Sequence, residues 1–93
     1  MEEKWIAAWA ANREKAAALG IRMRPVNPED AMRTARRALS GSRCSDGFAE
    51  LADLHRLELS LEALAVDRRF TGLFTDEEAN TALARLLEAG YKF

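Results

Sequence analysis

Residues 45 to 70 read SDGFAELADLHRLELSLEALAVDRRF, and the reading of this stretch decides the fold. Six leucines fall within the fourteen residues from Leu51 to Leu64, and after Gly47 the stretch holds no Gly or Pro. At about 100° per residue its apolar positions form two stripes. Leu54, Leu57, Leu61, Leu64 and Ala65 make one. Phe48, Ala52, Leu59, Ala63, Val66 and Phe70 make the other, roughly 160° away on a helical wheel. A surface helix needs a single stripe, so two imply cover from both sides. The pattern predicts one long helix over 46–70, the third of four, at the centre of a compact all-α four-helix domain. Between the stripes, His55, Glu58, Glu62 and Arg69 line up as a polar seam on one side. Asp53, Arg56, Ser60 and Asp67 fall on the other.

The rest of the chain supports that class. Ninety-three residues make a single domain, residues 1–93. Alanine is abundant, while valine occurs only at Val26 and Val66 and isoleucine only at Ile6 and Ile21, a bias toward helix and against sheet. A first helix is expected over 2–19, with Glu2 and Glu3 favouring its N-terminus and Gly20 ending it. A second is expected over 28–40, with Asn27 as N-cap and Pro28 at the first helical position. Its apolar face is thin and rich in alanine. The loop GSRCSDG, residues 41–47, separates it from the long helix, which Ser45 or Asp46 would cap. The last helix, 76–89, has the clearest start: Thr75 and Glu78 form a capping box. Leu83, Leu86 and Leu87 are expected to make its buried stripe. After Gly90, Tyr91 and Phe93 can fold back on the final turn.

Composition narrows the function classes. With a single cysteine, Cys44, no internal disulfide forms. The acidic start MEEK does not resemble a signal peptide, and no run approaches the roughly 20 apolar residues of a membrane span. A cytoplasmic protein without membrane contact is expected. Net charge is −1, yet it is unevenly placed. Residues 13–43 hold eight basic and three acidic side chains, whereas residues 44–93 hold five basic and ten acidic. Either the halves attract one another within the fold, or one of them faces an oppositely charged partner.

Catalytic motifs are lacking. Cys44 falls in the loop before the long helix and the only histidine, His55, nearly three turns into it, about 15 Å away and too far for a nucleophilic pair within this segment. No glycine-rich phosphate loop, nucleophile elbow or zinc-protease motif is present. His55, Glu58 and Glu62 share a helix face, but one helix does not make a carboxylate–histidine metal site. No metal or cofactor is expected. Glu58 and Glu62 repel weakly, so an arginine of the second helix is expected to reach them.

The chain is therefore expected to be a small non-catalytic protein-interaction module, an adaptor or an inhibitor. Phage- or mobile-element-encoded inhibitors of host defence, such as anti-CRISPR-type proteins, are one class of that size. The candidate contact residues are Trp5, Trp9, Phe48, Leu59, Val66, Phe70, Tyr91 and Phe93, facing a protein partner or a second copy in a homodimer. Nucleic-acid binding is the alternative, through Arg33, Arg36 and Arg37 of the second helix with Arg22, Arg24 and Arg43 flanking it. A pI near 5.8 and the dense acidic half weigh against it.

Overall fold

The computed structural model describes residues 1–25 and 27–91, and among them five α-helices and no strand. Helix α1, Glu2–Ala18, starts with Glu2 and Glu3 in its first turn. It ends in a Schellman turn: Gly20, at φ +86°, donates to Ala17 O, and Ile21 N–H donates to Ala16 O at 3.0 Å. Helix α2, Ala31–Ser40, begins three residues later than its sequence signals suggest. Asn27 still caps the preceding turn, its Oδ1 accepting from the Glu29 N–H at 3.1 Å. Helix α5, Asp76–Glu88, carries the capping box in both directions. Thr75 Oγ1 accepts from the Glu78 N–H, and Glu78 Oε1 accepts from the Thr75 N–H at 2.8 Å.

The segment expected to form one long helix does not. It is α3, Phe48–Asp53, a 3₁₀ turn at Leu57–Leu59, α4, Leu61–Ala65, and a second 3₁₀ turn at Arg68–Phe70. Three local devices break it. First, His55 adopts φ +56° and ends α3 in another Schellman turn, its N–H donating to Ala52 O. The Arg56 N–H reaches Leu51 O at 2.8 Å. Glycine usually takes this position; histidine is among the side chains that enter the left-handed region more readily than most. Second, Ser60 starts α4, its Oγ accepting from the Ala63 N–H while donating to Leu57 O at 2.7 Å. Third, Asp67 caps the last turn through the Arg69 N–H at 2.9 Å.

Each break turns the apolar side chains toward a different neighbour, so the two stripes become parts of two core clusters. The first gathers Trp5, Leu39, Leu61, Leu64, Phe70 and Phe74 with small alanines from α2 and α5. The second gathers Ile21, Phe48, Leu51, Leu57, Leu59 and Leu86. Val66 packs against both. Trp5 is fully buried, donates its indole N–H to Leu64 O at 3.2 Å, and lies 5.1 Å from the rings of both Trp9 and Phe74. The thin face of α2 packs chiefly on α5 and on α1. A radius of gyration of 12.0 Å is that of a tightly folded chain of this length.

The expected stripe of α5 is also corrected. Leu86 is buried, but Leu83 and Leu87 are exposed, and the inner face is Ala82, Arg85 and Leu86. Ser45 and Asp46 do not cap α3; its N-cap is Gly47 at φ +76°. A Cβ there would stand 2.8 Å from Ile21 Cγ2 and 3.2 Å from Met23 Cγ, so both the backbone angle and the close approach require glycine.

Candidate functional site

An ion pair lies at the centre of the polar architecture. Glu62 is fully buried on α4, and Arg85 is nearly so on α5. Arg85 Nη1 meets Glu62 Oε2 at 3.1 Å. Two charges withdrawn from water need their remaining donors and acceptors filled. Arg85 donates further to Ala38 O at 3.0 Å and to Gly41 O at 2.7 Å, carbonyls left over at the end of α2. Glu62 accepts from the Ser45 N–H at 2.9 Å and from the Ser45 hydroxyl. No buried side-chain nitrogen or oxygen among the described residues is left without a partner. The pair therefore ties both ends of the 41–47 loop to the core.

That loop walls a groove of about 600 Å³. Its opposite sides are residues 23–25 with Asn27 and the outer turns of α2. Trp9, Met23 and Pro25 give it apolar surface over the buried Leu61; Arg24, Arg37 and Arg43 give it positive charge; Asp30 and Asp46 bring negative charge. Asp46 is engaged, accepting from the Arg24 backbone N–H at 3.3 Å and pairing with Arg24 Nε at 3.4 Å. Arg13 Nε holds the 23–25 stretch by donating to Met23 O and Arg24 O. Cys44 opens onto the groove. Partial burial of its thiol, and then the Glu62 carboxylate, push its pKa above the ordinary thiol value; nearby Arg85 opposes this and Glu88 adds to it.

The six candidate arginines divide. Arg24 is paired with Asp46, and Arg36 with Glu78 at 3.5 Å. Arg36 also donates to Leu73 O and lies over the Phe74 ring. Both pairs join the basic half of the chain to the acidic half. Arg22, Arg33, Arg37 and Arg43 are exposed and make no ion pair among the described residues. The arginine expected to reach Glu58 and Glu62 from the second helix comes instead from α5, as Arg85. Glu58 pairs with Arg56 at 2.6 Å. Once the helix breaks at His55, the seam dissolves: His55 and Glu58 are exposed, while Glu62 points inward. Among the described residues no group of His, Cys, Asp and Glu is placed to hold a metal ion.

The apolar candidates are mostly interior. Trp5, Phe48, Leu59 and Phe70 are buried, and Trp9, Val66 and Tyr91 are half-buried. Tyr91 folds back as expected, its N–H donating to Leu86 O at 2.9 Å. Phe93 lies outside the described residues. Of these positions only Trp9 borders the groove. The sequence reading missed Arg85, although a signal for it existed: positions 82, 85, 86 and 89 form one helical stripe, so an arginine at 85 faces inward. It also missed Ser45 as a ligand of Glu62, which no local pattern announces. No described helix is long and apolar enough to cross a membrane.

Compared with known proteins, the chain matches no family model, and no curated protein or solved structure aligns with it.

Proposed function

We propose that this chain is a small non-catalytic protein-interaction module, an adaptor or an inhibitor that acts by occupying a surface of another protein. The observation that supports this reading is the set Arg22, Arg33, Arg37 and Arg43, exposed and without an ion pair among the described residues in a chain of net charge −1. The acidic half neutralises Arg24 and Arg36 and leaves these four. Cations without a counter-charge on a folded surface steer acidic partners and fix their register. Because both apolar stripes apart from the exposed Leu54 pack into the two core clusters, the partner meets a largely finished surface and does not complete the core. An inhibitor of the phage or mobile-element type would use such a surface to block an acidic face of a larger machine.

Nucleic acid is the second reading, through the same arginines. It is left with Arg33 and Arg37 on a short α2, because Arg36 is tied to Glu78 and Phe74. Capture of partners from the source cell by tagged protein, followed by mass spectrometry, tests the first reading. Capture of a specific protein is the expected outcome. Binding to duplex DNA or to RNA that falls steeply with salt, with no protein retained, would favour the second.

A further inference from the structure

We infer that the groove between residues 23–25 and Asn27, α2 and the 41–47 loop is the docking site for an extended acidic segment of a partner protein, one that alternates carboxylates with apolar side chains. The inference rests on the protein-interaction reading above and adds to it a place and a partner chemistry. Charge complementarity is the first argument. Arg37 and Arg43 border the groove without a counter-ion among the described residues, and Arg24 gives only one edge to Asp46, its side chain being 86% exposed. An incoming carboxylate would find two unshared guanidiniums, each able to bind it through paired N–H donors.

The apolar lining is the second. Trp9, Met23 and Pro25 supply surface that a carboxylate cannot use but a neighbouring Leu, Phe or Met side chain can. A volume of about 600 Å³ accommodates several side chains at once. The same lining argues against a nucleic-acid strand. A phosphate backbone would lie against the Asp30 and Asp46 carboxylates, whereas a peptide can offer them its backbone N–H groups.

The third argument is preorganisation. The wall carrying Arg43 and Cys44 is held at Gly41 by Arg85 and at Ser45 by Glu62, so little ordering remains to be done when a ligand binds.

A displayed library of short random peptides, selected on the whole protein at about physiological salt, tests the inference. Selected sequences should alternate Asp or Glu with apolar residues. A synthetic copy of the best of them should slow alkylation of Cys44 and bind more weakly as salt rises. The double variant R37E/R43E, at exposed unpaired positions and checked for intact helix by circular dichroism, should lower its affinity at least about tenfold. R33E, away from the groove lining, should change affinity far less. Selection of no peptide, of peptides without acidic enrichment, or of peptides whose binding survives R37E/R43E would overturn the groove assignment. The broader reading fails separately. A cellular protein captured equally by wild type and R37E/R43E, leaving Cys44 alkylation unchanged, would keep a protein partner and reject this groove. No captured protein, together with salt-sensitive DNA or RNA binding, would reject both.

Discussion

At the scale of single residues, His55 is the position where the chain spends stability on shape. A left-handed conformation at a non-glycine residue costs about 1–2 kcal/mol. It persists because Leu57 and Leu59, just beyond it, are buried in the second core cluster. His55→Gly is expected to stabilise the fold by roughly 0.5 kcal/mol, the relief of strain being partly offset by glycine's larger unfolded-state entropy. His55→Val should destabilise it, and denaturant midpoints of the two variants should move in opposite directions. Asp67 carries a pH-dependent contribution. The side-chain hydrogen bond from Arg69, helped by the Arg69 backbone N–H and charge, lowers its pKa below the ordinary carboxylate value, with partial burial opposing. A carboxylate depressed in the folded state stabilises above its unfolded pKa and loses that contribution as pH falls through the folded one. The stability difference between wild type and Asp67→Asn should therefore be level near neutrality and shrink in acid, below about pH 4. A difference that grows in acid would contradict this assignment.

Elements differ in how far local signals control them. Helices α1 and α5 lie within one or two residues of their sequence limits, because caps and a terminal glycine act through neighbours in the chain. The leucine-rich segment does not, since Ser60 and Asp67 can sit in a helix or cap one. Which role each takes depends on whether Leu61 and Phe70 gain more by turning toward Trp5 and Phe74. Helix α5 shows the same dependence. Its inner face includes Arg85 because Glu62 and two α2 carbonyls meet it there, and Leu83 and Leu87 are left outside. Removing one partner of a buried ion pair leaves an uncompensated charge and costs about 3–5 kcal/mol. Arg85→Met should thus lower the unfolding free energy by about that amount. Adding Glu62→Leu should recover part of the loss, since the isolated carboxylate is then gone. A fully additive double variant would show that the two side chains act independently.

The whole molecule shows a charge asymmetry that is only partly consumed in folding. Two of the eight basic side chains of residues 13–43, Arg24 and Arg36, pair with the acidic half. Arg13 is spent on backbone carbonyls. The remainder stays on the surface, and the proposed partner is argued from it. With Phe48, Leu59 and Phe70 buried and Val66 half-buried, these four candidate contact residues are taken up largely by the fold itself. Among the described residues the large exposed apolar side chains are Met1, Leu19, Leu54, Leu83 and Leu87; Leu83 and Leu87 stand one turn apart on α5, and two leucines fall well short of the area a stable dimer buries. Light scattering should therefore give a mass near 10.4 kDa at moderate concentration. A mass of twice that value, abolished by Leu83→Lys or Leu87→Lys, would place a homodimer on α5.

By itself the sequence determined the helical class, the starts and ends of α1 and α5, and the uneven charge, because composition, caps and terminal glycines act over a few residues. Tertiary structure decided where the leucine-rich stretch breaks, which of its stripes met which neighbour, and which arginine joined Glu62. It also decided which arginines stayed free around the groove. Those outcomes depend on contacts between residues far apart in the chain, such as Trp5 with Leu64 and Arg85 with Gly41. Helical periodicity describes a straight cylinder and holds no information about where packing makes it more favourable to bend.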